Sequence, residues 1–293
     1  MPKTVAFGFK ADLQPHIEAA IDPAAFDIAF LDFETAGLGD AEIVVPLTLR
    51  DIRMLHRHHA AERHRYLAPS PAIMALCHDK KALNERLLDS RFASLIPPLQ
   101  EPGQRRLPYV LKKREATSGQ ESFIISTRAV EEAQAERLAS DAYFCQAYVE
   151  GPIEYASHML FAGGRLVYHA TNQYWMPPHA VKGTGAPPVR EMIGFAMDAP
   201  VIAALAEVVG ALGFEGVCCV DYKIQEGRIR LLEINPRFGF SLFRDINGFL
   251  RAYAGALGEP AASGLPEALR PGLAENGDAL WPGAPGQAAP EER

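Results

Sequence analysis

Two strand-like runs near the end of the chain, residues 216–224 and 228–237, constrain the fold more than any other stretch. Both are rich in Val, Ile and Leu, and only a short polar break around Gly227 separates them, so they are expected to pair as an antiparallel hairpin. Side chains alternate faces along a strand, which predicts Ile229, Leu231, Glu233, Asn235 and Arg237 on one face and Arg230, Leu232 and Ile234 on the other. A three-residue loop centred on Gly227 sets Asp221 opposite Glu233, each six positions from that centre. Two carboxylates and an amide oxygen then meet at the end of an apolar sheet. Like charges in such a place repel and are costly to desolvate. A hard divalent cation such as Mg²⁺ relieves both penalties, because it takes oxygen ligands and is shared with substrate phosphates. Arg237, with its planar fork, suits a nearby phosphate or carboxylate. An exposed hairpin face carrying ordinary salt bridges fits the same residues, and spacing alone does not choose between the two.

The rest of the chain supplies strands and helices to build around that hairpin. Residues 5–9, 26–31 and 41–47 read as strands alternating with a helix at 12–20, the signature of a small parallel sheet. The GxGxxG that a dinucleotide site would need after the first strand is absent. Residues 51–65 hold four of the nine histidines; without an adjoining carboxylate or cysteine set they are expected to form a solvated amphipathic face rather than a metal site. A helix is expected from His78 to about Asp89, strands at 107–112, 123–125 and 142–149, and a helix at 129–139. A hairpin of 155–161 with 165–170 turns at Gly163-Gly164, followed by a loop over 172–190 and a helix at 198–212. The tail from about Gly272, rich in Pro, Gly, Ala and Glu, is expected to be disordered.

Charge and cysteine usage narrow the function class. The formal net charge of −7 disfavours a partner bound by phosphate neutralisation along a nucleic acid. No apolar run has the length of a membrane span, and no signal-peptide core opens the chain. Cys77, Cys145, Cys218 and Cys219 form no CxxC pair and read as core thiols of a cytoplasmic protein.

Asp221, followed twelve residues later by Glu233 within Leu231-Leu232-Glu233-Ile234-Asn235-Pro236-Arg237, resembles the metal-binding signature of the ATP-grasp superfamily, carboxylate–amine ligase type. The resemblance extends over roughly residues 1–255. It implies a mixed α/β and α+β protein with the ATP-grasp fold. A small N-terminal parallel-sheet domain (1–75, the pre-ATP-grasp domain) precedes a small lobe (76–150) and a large lobe (151–271), and residues 272–293 are the tail. It also implies phosphorylation of a carboxylate by ATP, then attack of an amine on the acyl phosphate, with release of ADP and phosphate.

Position by position, the resemblance makes Asp221, Glu233 and Asn235 the metal ligands and Arg237 the arginine that steadies the transferred phosphoryl group. Lys112 matches the strand lysine on the α- and β-phosphates, and Lys80 the earlier phosphate lysine, with Lys81 as the alternative. Residues 145–152 match the adenine hinge. Gln146 stands where an acidic residue is common and is expected to meet the adenine amino group; Tyr148 and Val149 offer backbone groups, and Glu154 the ribose acid. Residues 114–122, with a single glycine at 119, would cover the phosphates, Ser118 among them. The cofactors implied are ATP and Mg²⁺, two ions, with Mn²⁺ able to replace them.

The acceptor pocket is expected in 172–185, where Trp175, Tyr174 and Lys182 accompany His179, a candidate base for the amine. Arg190 and Arg244 are candidates for a substrate carboxylate. The same loop could instead bury its own aromatic residues as a satellite cluster. The expected partners are small carboxylate and amine substrates, with no nucleic acid and no membrane; a homodimer is left open. Two other functions remain at this stage: a nucleotide-binding regulatory protein without turnover, and an ATP-grasp enzyme with a non-amine acceptor.

Overall fold

A computed structural model describes residues 1–116, 121–178, 180, 182 and 186–258. The tail expected to be disordered, together with Ser118 and His179, lies outside the described residues.

The N-terminal part runs β1 (Lys3–Gly8), α1 (Gln14–Ala20), β2 (Phe26–Leu31), β3 (Ile43–Val45) and α2 (Leu49–His58). Its three strands form a parallel sheet in the order β2-β1-β3, as the alternation of apolar runs and helix predicts. Thr48 caps α2, accepting from the Asp51 N–H, while the buried Asp51 carboxylate accepts from the Leu47 and Thr48 N–H groups. That carboxylate fills the space beside Gly8, where a Cβ would lie 2.2 Å from Asp51 Oδ2. The histidine-rich segment is not wholly a solvated face. His59 is buried and donates to the Phe33 carbonyl at 2.9 Å, and His56 bonds the Pro69 carbonyl at 2.8 Å. These rings tie α2 to neighbouring loops, and among the described residues no group of His, Cys, Asp and Glu is arranged to hold a metal ion by itself.

The next segment carries α3 (Pro71–His78), α4 (Lys80–Leu88), β4 (Tyr109–Lys113), β5 (Ser122–Ile125), α5 (Arg128–Ala133), α6 (Ala135–Leu138) and β6 (Tyr143–Ala147). His78 ends α3 rather than starting a helix; the new helix begins after Asp79, whose carboxylate accepts from the Lys81 and Ala82 N–H groups. Arg114 donates to the same carboxylate, which fastens the start of α4 to the end of β4. The single helix expected at 129–139 is broken at Gln134, which leaves helical geometry at φ −107°, ψ 14°. The antiparallel sheet β5-β4-β6 buries Tyr109, Leu111, Ile125 and Cys145 against α5 and α6.

The large antiparallel sheet is built from β7 (Ile153–Ala162), β8 (Arg165–Trp175), β9 (Arg190–Met192), β10 (Gly216–Gln225) and β11 (Arg228–Asn235), in the order β11-β10-β7-β8-β9. The stretch 172–190 is therefore not all loop: β8 continues to Trp175 and β9 pairs with its end, Gln173 opposite Met192. The helix α7 (Ala199–Ala211) packs its Leu205, Val208 and Val209 on one face of this sheet, against Met159, Cys218 and Tyr222. The helix α8 (Ile246–Gly258) and the N-terminal sheet cover part of the opposite face through Phe249, Leu250, Phe7 and Val45. The uncovered part of that face is where the charged residues gather.

Asp221 does stand opposite Glu233, but by a different route from a three-residue loop. The turn has two residues, Glu226 and Gly227, both with positive φ (52° and 71°), and pairs Gln225 with Arg228. A bulge between Asp221 and Tyr222 then restores the Asp221–Glu233 pair. The same bulge changes the phase of β11. Ile229, Leu231 and Ile234 all join the core under α7, so Ile229 and Leu231 do not share a face with Glu233 and Asn235.

Tyr253 of α8 ties the C-terminal helix to the N-terminal part. Its buried hydroxyl accepts from the Leu67 N–H at 2.6 Å and lies 3.0 Å from the Val44 carbonyl. Tyr253→Phe leaves these groups buried without a partner and is expected to cost about 1–3 kcal/mol, read as a lower midpoint in urea denaturation at unchanged slope.

Candidate functional site

Asp221 and Glu233, cross-strand neighbours on β10 and β11, are both largely buried. Asn235 spans them, its Nδ2 lying 3.1 Å from Asp221 Oδ2 and 2.8 Å from Glu233 Oε1. Cations from three separate elements oppose the pair. Lys80, in the first turn of α4, reaches Glu233 Oε2 at 3.5 Å and donates to the Ala116 carbonyl at 2.7 Å. Lys112 of β4 donates to Gln146 Oε1 at 2.7 Å and, more weakly, to the Leu232 carbonyl at 3.4 Å. Lys182 makes an ion pair with Asp221 Oδ1 and sits 5.2 Å above the Tyr174 ring. Lys81 turns away instead and pairs along its helix with Glu85.

The electrostatics follow from this crowding. Burial pushes the Asp221 carboxyl well above the usual range; Lys182 opposes that rise and the Glu233 carboxylate adds to it. Burial acts the same way on Glu233, but Lys80 and the Asn235 N–H outweigh it and hold that carboxyl below its ordinary value. Lys112 is lowered to about 8, first by desolvation and further by Lys80, with Glu233 pulling in the other direction. Burial works against the Lys182 ammonium, and Asp221 more than compensates, so it is held charged.

A cavity of about 440 Å³ has Lys112, Glu154, Lys182, Asp221, Glu233 and Asn235 in its wall, and Lys80 lines a small adjoining recess with Glu233, Asn235 and Arg237. Arg237 projects into the cavity from just past β11. Glu154, buried at the start of β7, accepts from the Lys182 N–H at 3.4 Å. At the other end of the cavity stand Lys10 and Asp12 from the β1–α1 connection, with Phe240, Ser241 and Arg244. His158 is buried in the wall, 2.8 Å from Ser241 Oγ, which also bonds the Tyr174 hydroxyl. Desolvation lowers His158 to about 3, so it is neutral at ordinary pH. The chain passes directly over this ring at Gly239, where a Cβ would lie 2.4 Å from His158 Cε1. A larger cavity of about 720 Å³ lies on the outer side of the small sheet, against α5 and α6. Of the residues singled out in the sequence for metal, phosphate or nucleotide it contains only Lys81, so the chemistry is assigned to the smaller one.

The structure therefore brings together Lys80, Lys112, Glu154, Asp221, Glu233, Asn235 and Arg237. Gln146 is placed differently from the expectation. Its Oε1 accepts from Lys112, and its Nε2 donates to Asn84 Oδ1 and the Pro97 carbonyl, so its side chain is fully engaged inside the protein and does not face the cavity. Tyr148 and Val149 lie in the crossing from β6 to β7, outside the cavity wall. Arg190 stacks over Trp175 at 4.7 Å, away from the carboxylate pair. Arg244 pairs with Glu191 at 2.9 Å at the cavity mouth. Sequence reasoning did not assign Lys182, Lys10, Asp12, His158 or Ser241 to the carboxylate site. Lys182 was visible only as one polar residue of a loop, and the others come from segments brought together solely by tertiary packing.

A family model described as the ATP-grasp domain matches residues 77–241. No curated protein matches the chain. Among solved structures the chain is similar to the D-alanine–D-alanine ligase of Bacillus anthracis complexed with ATP, with TM-score 0.58 and 12% identity over 88% of this chain and 97% of that one. It is similar to the N5-carboxyaminoimidazole ribonucleotide synthetase of Thermotoga maritima (TM-score 0.54, 16% identity, 84% and 72% covered). It is also similar to the biotin carboxylase of Campylobacter jejuni in its β-γ-ATP complex (TM-score 0.60, 11% identity, 90% and 72% covered). At these identities the likeness is one of fold.

The Lys182–Asp221 pair gives a pH-dependent test in metal-free buffer. Asp221 has a folded-state pKa raised above its unfolded value, so the stability it contributes is present at low pH and lost as pH rises through the folded value. Lys182→Met removes the group that restrains that rise. The variant is expected to be destabilised more at pH 8 than at pH 5, by roughly 1.4 kcal/mol for each further pK unit. Urea denaturation at the two pH values reads the difference, and a larger loss at pH 5 contradicts the assignment.

Proposed function

Since the chain belongs to the ATP-grasp family, we propose that it is an ATP-dependent carboxylate–amine ligase that makes an amide or peptide bond through an acyl phosphate and releases ADP and phosphate. The single observation that carries this reading is the buried Asp221–Glu233 pair with Asn235, faced by Lys112 and Arg237 across one cavity, with Lys80 reaching Glu233 from α4.

The donor set suits magnesium. Two carboxylates are hard ligands, Asn235 would add its Oδ1 by turning the amide that here presents Nδ2 to both of them, and the set is smaller than a dedicated all-protein cage would need, as expected of an ion completed by phosphate and water. Asp221, Glu233 and Asn235 would hold it; two ions, and replacement by Mn²⁺, belong to the same proposal. Bound there, the metal supplies positive charge against the phosphate oxygens of the nucleotide. Lys80 and Lys112 supply fixed charges for the remaining phosphates, and the low solvation of Lys112 strengthens its interaction with an anion. Arg237 offers a planar pair of donors to the transferred group. Glu154, in the cavity wall, would accept from a ribose diol.

In the proposed reaction a carboxylate oxygen of the substrate attacks the γ-phosphorus of ATP and ADP leaves. An amine then attacks the acyl carbon, phosphate leaves, and the amine nitrogen gives up a proton. Such transfer depends mainly on positioning and charge neutralisation, and the charged side chains of this cavity support that reading. The mixed charges at the far end, Lys10 and Arg244 with Asp12 and Glu191, suit small substrates that carry both carboxylate and amine. A cytoplasmic site of action is part of the proposal, supported by the four cysteines lying buried as free thiols. Among the described residues no helix is long and apolar enough to cross a membrane.

The test is a screen of amino acids and other small carboxylates with amines for ATP-to-ADP conversion, read with product mass. ADP release that requires both substrates, with a product heavier by their condensation, supports the ligase. Nucleotide binding without turnover favours a regulatory role, and a phosphorylated or ester product favours another acceptor. With the active pair in hand, Glu233→Gln is expected to lower turnover by at least about 100-fold with the fold intact; near-normal ADP formation by that variant removes the metal-ligand assignment.

A further inference from the structure

Phe240 stands at the Lys10 and Arg244 end of the cavity and is 43% exposed. Among the described residues of the wall it is the one large apolar side chain left so open. Its exposure does not come from a loose chain. Gly239 before it packs against the buried His158 ring. Ser241 after it bonds both His158 and Tyr174, and Leu242 is buried. The Phe240 ring is braced by two others. His16 of α1 meets it edge-on at 5.2 Å and Phe243 edge-on at 5.6 Å, while His16 stacks on Phe243 at 4.8 Å. A phenyl ring held by its neighbours and open to a cavity is a preformed apolar contact.

The charges around the ring limit what that contact takes. Lys10 Nζ lies 5.7 Å from the Phe240 centroid and pairs with Asp12 at 3.5 Å. The Arg244 guanidinium lies 5.7 Å from the Phe243 centroid and pairs with Glu191 at 2.9 Å. A second cation brought over the Phe240 ring would meet Lys10, so the ring favours an uncharged partner. Each of the two ion pairs presents a cation and an acid, the groups that a carboxylate and an ammonium on one small molecule require. Ala186 and Pro188 add small apolar surface to the same wall.

We infer that Phe240 is a specificity-determining residue, and that the substrate taken at this end of the cavity is an α-amino acid whose uncharged apolar or aromatic side chain lies on its ring. This rests on the ligase reading of the cavity and narrows its small carboxylates and amines to one side-chain class. A substrate as small as glycine leaves the ring facing water. A charged side chain gives up hydration beside the ring without gaining a partner there.

The experiment saturates the full-length protein with MgADP and titrates it by calorimetry with racemic phenylalanine, racemic leucine, racemic arginine and glycine. It compares the wild type with Phe240→Ala and Phe240→Leu, with MgADP titrated first in each. The wild type is expected to bind phenylalanine and leucine at least about tenfold more tightly than glycine or arginine. Phe240→Ala is expected to weaken phenylalanine about tenfold and glycine by less than about twofold. Phe240→Leu keeps an apolar contact without the ring; it is expected to hold leucine and lose part of the phenylalanine affinity, and it is the readout if the Ala variant does not fold. Tighter binding of glycine or arginine by the wild type, an unchanged preference in the variants, or equal losses for every amino acid overturns the role of Phe240. MgADP binding with no amino acid bound overturns it too, and leaves the nucleotide site standing. A wild-type protein that does not bind MgADP overturns the ligase reading and this inference together.

Discussion

Two acidic side chains forced side by side in a poorly solvated place are the constraint to which the surrounding structure answers. Asp221 and Glu233 face each other across β10 and β11, and their mutual repulsion grows as water is excluded. Each neighbouring element contributes a means of tolerating that. The first turn of α4 brings Lys80, β4 brings Lys112, and Lys182 pairs with Asp221. The Asp79 cap and its Arg114 partner fix where α4 begins, and so where Lys80 points. Acidic and basic side chains line the cavity in equal number, although the chain as a whole carries −7. An anion that the average surface would repel thus meets a wall of balanced formal charge.

The fold was legible wherever a local pattern had only one physical outcome. The parallel β2-β1-β3 sheet and the long hairpins follow from apolar runs bounded by turn residues. The Asp221–Glu233 pairing came out as expected, yet through two compensating departures: a two-residue turn shortened the loop by one, and a bulge added one back. Alternation counted from Gly227 therefore gave the right pair and the wrong face for Ile229 and Leu231. A bulge has no signature in residue type here, because Leu232 fits a regular strand as well as an irregular one.

The site was less legible because most of it is assembled from distant segments. Lys112 and Lys80 could be picked out by their place along the chain, but Gln146 shows how such matching misleads. Its position beside a base-binding segment suggested an outward role, whereas the fold turns it inward to satisfy Lys112, Asn84 and the Pro97 carbonyl at once. A buried lysine demands acceptors, and no sequence pattern says which glutamine will supply one. The histidine cluster fails in the same way: His56 and His59 became internal donors to carbonyls because loops 33 and 69 happen to pack there.

Two lysines stitch the sheets together in opposite senses. Lys112 leaves the small sheet and touches the Leu232 carbonyl of the large one at 3.4 Å; Lys223 leaves the large sheet and holds the crossing at 2.6 and 3.1 Å. The first bond is long and weak, while the others are of ordinary strength. The looser tie is the one between the two sheets: Lys112 holds the Leu232 carbonyl weakly, while its short bond to Gln146 at 2.7 Å stays within the small sheet.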